Sequence, residues 1–363
     1  MVIAVNTCSF SHRLSDEGVY FLAKVLPLWA ERFPQHRFYI IYNNEEVVQG
    51  LPAGVTPVFL DSKGLLPLRY RLSRLLKKIG AGSLLSLTGY CLSRTKMRQC
   101  LVAEPSLGPA GNDKKEGWRR HRRRAACLRR AARVVVFSEY RKARLSAAFG
   151  VPAGKIRVVP RVPREDYRPL DYDRAAAVKE AHTGGREYFL YRGSLDPQAQ
   201  LVPLLKAFSL FKKRQKTGMK LLLVEQPGLQ TGAAAELLHT YKYREDVVLL
   251  EGAAARAKEA HLVGAAYAFI SLAEEDEGAL EAVHCGLPVL LPAGALAQEW
   301  LQEAGLYFDA ASTADLADKM MQVYRDETLR DRMIAAGSEK LRPFTWQQTA
   351  DLLWEAVAGA ENG

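Results

Sequence analysis

The alternation of apolar and polar positions changes period repeatedly along the first 160 residues. Ile3 to Val5 is apolar and β-branched, as a buried strand is, and Val19 to Arg32 carries a helical period through Val19, Leu22, Val25, Leu26 and Trp29. Arg37 to Tyr42 (RFYIIY) predicts a second strand, Thr56 to Leu60 a shorter third, and Leu68 to Ile79 a basic helix. Ser83 to Leu87, Gln99 to Ala103 and Val134 to Ser138 predict further short strands. Ser138 stands where it would cap the next helix. Short strands alternating with helices imply crossover connections and hence a parallel sheet.

The pattern then restarts. Lys155 to Pro160 reads as a strand, and Arg161 to Gly185 is polar and proline-bearing like a linker. Tyr188 to Tyr191 opens a second strand–turn–helix series, with Gly193 at the turn and a helix from Leu201 to Arg214. Strands follow at Lys220 to Val224, Val247 to Leu250, Tyr267 to Ser271 and Pro288 to Leu291. Ala314 to Val357 reads as nearly continuous helix, broken at Pro343. Trp346 and Trp354 share a face of the last helix and are expected to bind it across the domains. The expected fold is two doubly wound α/β domains facing a cleft. The first domain covers 1–165, a linker 166–186, the second domain 187–343, and a closing helix and tail 344–363. Ligands in such sheets bind beyond the carboxyl ends of the strands.

A chain of 363 residues that is 48% hydrophobic and 25% charged has ample core for two domains and is no disordered or collagen-like polymer. No apolar run reaches bilayer-spanning length, and the N-terminus lacks the basic region and cleavage site of a signal peptide. The five cysteines are scattered without a C-x-x-C pair, which suits a reducing cytosol, and the seven histidines show no metal-ligand spacing. A cytoplasmic location and no bound metal are therefore expected. His284, near a helix end, reads as packing or capping.

The net charge of +11 is one patch. Lys114 to Arg144 holds thirteen Lys/Arg against two acidic residues, an excess that equals the net charge of the whole chain. Trp118, Arg119, Arg120, Arg122, Arg123 and Arg124 lie at its centre. Arginines beside an aromatic suit phosphate head groups and interfacial anchoring, so an anionic membrane surface or a lipid-linked acceptor is the expected partner; a solvated helix without a specific partner is the alternative. No nucleic-acid recognition motif accompanies the charge, and no specific nucleic acid is expected. Gly108 to Asp113, ahead of the patch, reads as a flexible loop.

Four segments carry a family resemblance in the right order and spacing. FSEYRKARLSAAFGVPAGKIRVVP (137–160), EYFLYRGSLDPQAQLVPLLKAFSLFKKRQ (187–215), EGALEAVHCGLPVLLP (277–292) and FTWQQTADLLWEAV (344–357) resemble GT-B retaining glycosyltransferases of family four, the glycosyl transferases group 1. The resemblance implies two Rossmann-like domains and a closing helix that crosses back to the first. It also implies a nucleotide-diphospho-sugar bound by the second domain, an acceptor held mainly by the first, and hexosyl transfer with retained anomeric configuration and no bound metal or cofactor. Stabilising the charge on the departing nucleoside diphosphate would carry much of the catalysis.

The positions that would carry this chemistry depart from the family pattern. The phosphate turn, G-x-x-x-x-R-K-N in the family, is Gly193-Ser194-Leu195-Asp196-Pro197-Gln198-Ala199-Gln200 and has neither cation. Arg192, just before it, would replace one if its side chain faced the cleft, and is otherwise a solvated strand-end residue. Glu281 matches the family glutamate that contacts the nucleotide ribose. Its partner position falls on Ala273, with Glu274 displaced by one, in an acidic run through Glu277 that reads as a solvated loop. The first-domain glycine loop retains only Gly18, with Tyr20 near the second glycine's place, and the family's His-Asp pair is replaced by Glu104 after a strand. The resemblance thus assigns Gly18, Arg192, Gly193, Ser194 and Glu281 to the donor, and Glu104 or Glu274 to the sugar. The leading expectation is a transferase of envelope or exopolysaccharide assembly, peripheral at the inner membrane face. The alternative is a catalytically silent homologue acting as a binding or scaffold subunit.

Overall fold

The structure, a computed structural model, describes residues 1–8, 16–43, 50–61, 67–88, 91–92, 95–103, 114–196, 200–225, 232–251, 258–273, 276 and 278–359. Two compact units emerge, one formed by Met1–Val162 with Phe344–Gly363 and the other by Pro163–Pro343. The loop expected at Gly108 to Asp113 lies outside the described residues.

The first unit runs β1 (Val2–Asn6), α1 (Asp16–Arg32), β2 (Arg37–Tyr42), β3 (Val55–Phe59), α2 (Leu68–Lys78), β4 (Ser83–Ser86), β5 (Arg98–Val102), α3 (Lys114–Arg130), β6 (Arg133–Val136), α4 (Glu139–Phe149) and β7 (Ile156–Val158). Its seven strands are all parallel, in the order β3-β2-β1-β4-β5-β6-β7. Every residue of β1 is buried, because helices cover both faces of a central parallel strand. Leu22, Val25, Leu26 and Trp29 form the buried stripe of α1, and Leu68, Leu72 and Leu76, one turn apart, that of α2. Ser138 caps α4 as its sequence position predicts, its hydroxyl accepting from Arg141 N at 3.0 Å. Gly150 ends that helix at φ 62°, a left-handed cap that a side chain would strain.

The closing helix, Trp346–Ala358, completes this unit. Ala350, Leu353, Ala356 and Val357 enter the core formed by Ile3, Val5, Leu22, Val25, Leu26 and Trp29. Trp29 donates its indole N–H to the Ala350 carbonyl at 2.8 Å, and Trp354 stacks on Phe33 with ring centroids 3.8 Å apart. Trp346 meets Tyr20 and Phe21 edge-on at 5.8 and 6.1 Å. Both tryptophans are half-buried, and these partners all belong to the first unit.

The second unit begins in the segment read as a linker. Tyr172–Thr183 is a helix, α5, capped by Asp171, whose carboxylate accepts from Arg174 N at 2.8 Å, and ended by Gly184 at φ 60°. There follow β8 (Tyr188–Gly193), α6 (Val202–Gln215), β9 (Lys220–Glu225), α7 (Gly232–His239), β10 (Val247–Leu250), α8 (Glu259–Gly264), β11 (Ala268–Ile270), α9 (Gly278–His284), β12 (Val289–Pro292), α10 (Ala295–Leu301), β13 (Gly305–Phe308), α11 (Thr313–Arg325) and α12 (Glu327–Leu341). The six strands are parallel in the order β10-β9-β8-β11-β12-β13, over a core that includes Phe189, Tyr191, Phe208, Phe211, Leu221 and Ile270. The expected continuous helix from Ala314 is broken at Asp326 as well as before Trp346. Asp326 caps α12, its side chain accepting from Leu329 N at 2.8 Å.

Chain order reverses at β8, which lies between β9 and β11, so the unit's switch-point crevice opens at the carboxyl ends of β8 and β11. A separate ionic group lies at the amino ends of β9 and β10. The buried Lys212 ammonium reaches Asp246 Oδ2 at 2.9 Å, and Lys220 reaches Oδ1 at 3.1 Å. Burial alone would raise the Asp246 pKa, but hydrogen bonds from the two lysines hold it below the usual carboxylate value. A depressed folded pKa contributes stability that is complete above the unfolded value, roughly 3.9, and is lost as pH falls through the folded value. Asp246→Asn should therefore unfold more readily than wild type at neutral pH. The two should converge in acid below the folded pKa, as read from urea midpoints across pH.

Candidate functional site

Period two along β8 sends neighbouring side chains to opposite faces. Tyr191 turns one way, and its hydroxyl donates to the Ser194 carbonyl at 2.8 Å, with Gln200 Oε1 2.6 Å away. Arg192 turns the other way, into a group of acids. Its Nη1 donates to Glu281 Oε2 at 2.9 Å and to Glu259 Oε1, and its Nη2 lies 3.9 Å from Asp276 Oδ1. The Arg192, Glu259, Asp276 and Glu281 side chains are only 10, 16, 11 and 11% exposed. Arg192 is not the solvated strand-end residue of the second expectation, since its side chain is buried among carboxylates.

Three further contacts fix the group. Tyr167 donates its hydroxyl to Glu259 Oε1 at 2.8 Å, and Asp276 Oδ1 accepts from Gly278 N at 2.9 Å. Gly278 opens α9 with Arg192 pressed against it, so that a Cβ there would fall 2.1 Å from Nη2. Burial would lower the Arg192 pKa, but Glu281, Glu259 and Asp276 together raise it well above its ordinary value. Tyr167 is pushed upward too, first by burial and then by the Glu281 charge. The Arg164 guanidinium also feels the Glu281 charge, so Arg192 is not the sole cation acting on the group.

The donor residues expected in this unit fall close together. Gly193 ends β8, and a Cβ on it would lie 2.5 Å from the Tyr191 hydroxyl, so glycine is required by the tyrosine's own hydrogen bonds. Ser194 Oγ accepts from Asp196 N at 3.2 Å in a local turn. Glu281 is buried within α9 and points at Arg192. Gly18 belongs to the first unit, in the opening turn of α1. Glu104 and Glu274 lie outside the described residues. Of the acidic run expected as a solvated loop, Asp276 is turned inward because it caps the Gly278 amide and faces Arg192.

Sequence reasoning missed Tyr167 and Glu259. They stand 25 and 67 residues from Arg192 along the chain, beyond the reach of any local pattern. Among the described residues, no group of three or more His, Cys, Asp and Glu is arranged to hold a metal ion.

The basic segment forms α3, with His121, Arg122 and Arg123 exposed. Arg124 lies over the Phe149 ring at 5.9 Å and His121 stacks on the same ring at 4.7 Å, which docks α3 on α4. The side chains of Trp118, Arg119 and Arg120 are outside the described set. Among the described residues, no helix is long and apolar enough to cross a membrane.

Comparison with known proteins bears on this arrangement. The family described as glycosyl transferases group 1 matches residues 173–340, all within the second unit. The chain is similar to the O-antigen chain mannosyltransferase B of Escherichia coli, 23% identical over 218 residues, 59% of this chain and 57% of that protein. The aligned segment therefore spans little more than half of the relative. A solved glycosyltransferase from Rickettsia africae ESF-5 superposes with a TM-score of 0.75 at 15% identity, covering 100% of this chain and 99% of the other. Anabaena Alr3699/HepE, solved in complex with UDP and glucose, gives 0.73 at 14% identity over 97% of this chain and 98% of its own. At these identities the structural likeness is one of fold, and the two all-parallel sheets are those of GT-B proteins. Residues 173–340 match the glycosyl transferases group 1 family, and the chain has the GT-B fold.

Proposed function

We propose that this chain transfers a sugar from a nucleotide-diphospho-sugar to an envelope or exopolysaccharide acceptor, with retained anomeric configuration. The observation that carries the reading is Glu281, an inward-facing carboxylate at the switch-point crevice of the family-matching unit. The relatives support the substrate class: one is a mannosyltransferase of O-antigen chains, and another was solved with UDP and glucose. In the proposed reaction the bond from sugar C1 to the diphosphate oxygen breaks, a bond from C1 to an acceptor hydroxyl oxygen forms on the same face, and the hydroxyl proton passes to the departing diphosphate oxygen. Glu281 accepts the ribose hydroxyls, the backbone after Gly193 approaches the diphosphate, and Glu104 or Glu274 contacts the sugar. No bound metal takes part.

A second reading, a silent homologue that keeps the fold as a binding or scaffold subunit, is favoured by one specific observation. The cations of the family's phosphate turn are absent, and the nearest arginine already faces three carboxylates. Calorimetry and thermal shift with UDP, GDP, ADP and TDP separate the two readings. A ligand at 100 times its Kd adds about 2.7 kcal/mol to stability. Saturable binding of one nucleotide is the result expected of a transferase and identifies its donor class. Absence of binding at millimolar concentration for all four selects the scaffold.

The exposed basic face of α3 is proposed to dock on an anionic membrane surface that presents the acceptor. Each Lys or Arg near such a surface contributes about 1 kcal/mol. Replacing Arg119, Arg120, Arg122, Arg123 and Arg124 with Gln should remove co-sedimentation with vesicles rich in anionic phospholipid at low salt. Unchanged sedimentation refutes the docking surface.

A further inference from the structure

We infer that Arg192 is a positioning residue, a guanidinium held by Glu259, Tyr167 and Gly278 that sets the Glu281 carboxylate for the nucleotide, and is not itself a diphosphate ligand. This inference rests on the proposed nucleotide-sugar reading of the same crevice.

Geometry separates the two roles. A diphosphate ligand must present its N–H groups to the crevice, whereas Arg192 directs Nη1 to Glu259 and Glu281 and Nη2 toward Asp276. Its Nε is buried, 3.0 Å from where a Cβ on Gly278 would lie. An arginine that left this position to meet a phosphate would give up its contacts with three buried carboxylates, at a large electrostatic cost.

Glu281, by contrast, takes its orientation from Arg192. The 2.9 Å charge-assisted bond from Nη1 to Oε2 fixes the plane of the carboxylate, whose oxygens accept from the ribose hydroxyls. Tyr167 and Glu259 extend the same chain of contacts one step further from the nucleotide. Gly278 sets its geometry from the opposite side, because only a residue without a Cβ lets the guanidinium lie there.

Two variants disturb the clamp without touching Glu281. Glu259→Gln keeps the Tyr167 acceptor oxygen but removes a charge that holds Nη1. Gly278→Ala keeps every charge and pushes Nη2 away. Calorimetric titration with UDP, GDP, ADP and TDP is performed on wild type, on each variant, on Glu281→Gln and on the two double variants. Side chains in direct contact typically couple strongly enough for an effect of about tenfold in Kd. The expected result is a loss of that size for each single variant, and almost none when it is added to Glu281→Gln.

An equal loss in the wild-type and Glu281→Gln backgrounds overturns the positioning role, since the clamp would then act on the nucleotide by another route. Unchanged binding in both single variants overturns it as well. A wild type that binds none of the four nucleotides overturns the donor reading itself, and the positioning role with it. That outcome differs from binding that persists but does not couple to Glu281. Circular dichroism and unfolding midpoints on every variant ensure that the lost affinity is read on folded protein.

Discussion

Arg192→Met should destabilise the second unit by about 3–5 kcal/mol, the range for removing one partner of a buried ion pair and leaving the other charge uncompensated. The side chain is 10% exposed and faces Glu259, Asp276 and Glu281, so its loss leaves three acids in a nearly dry space with Arg164 acting on Glu281. Methionine fills much of the stem's volume, which confines the effect to the charge. Urea unfolding should show the lost stability in the transition of the second unit. Adding Glu259→Gln should recover part of the loss at neutral pH, because one buried negative charge is gone. A cost below about 1 kcal/mol, the value of an exposed pair, would mean that water reaches the cluster. Arg192→Ala is consequently a poor test of donor binding, since unfolding alone would abolish it.

Trp29→Ala is expected to be about as damaging to the first unit, at about 3–5 kcal/mol, the usual cost of truncating a buried aromatic in a close-packed core. Trp29 is 1% exposed, donates its N–H to the Ala350 carbonyl, and meets the Trp354 ring edge-on at 5.6 Å. The cavity would open between α1 and the closing helix, where Leu353 and Val357 have no exposed surface. Trp29→Phe should cost less, since it keeps an aromatic ring and loses one hydrogen bond. Hydrogen exchange read by mass spectrometry should show faster exchange in 16–32 and 346–358 in the alanine variant, with β8 and α6 unaffected. Uniform acceleration across both units would contradict the division of the chain.

Elements with strong, one-sided burial were legible in the sequence. RFYIIY matches β2 residue for residue, and the helical period of Val19 to Trp29 marks the stripe that α1 buries. What escaped had little burial to announce it. In α5 only Thr183 is buried, so the helix carries no apolar stripe and its polar sequence reads as linker. β13 is an edge strand, half-buried except at Phe308, and shows no clean alternation. Asp326 looks like one polar residue in a long helix until its side chain is seen capping α12. For the site, alternation along β8 gave Arg192 two possible directions and nothing in the strand chose between them. The choice was made by Glu259 and Glu281, brought to Arg192 from distant parts of the chain.

The return of residues 344–363 to the first unit has a consequence for biosynthesis. The chain emerges from the ribosome N-terminus first, so strands β1 to β7 are made long before the helix that closes their core. At about 5–20 residues per second, the interval between Val162 and Ala358 is roughly 10–40 s. During that time the groove that will receive Leu353 and Val357, lined by Leu22, Val25 and Trp29, stays open to water. The second unit, contiguous from Pro163 to Pro343, can complete its core first. The order of synthesis and the order of completion are therefore opposite, and the nascent N-terminal half is the part left with apolar surface exposed while the rest is made.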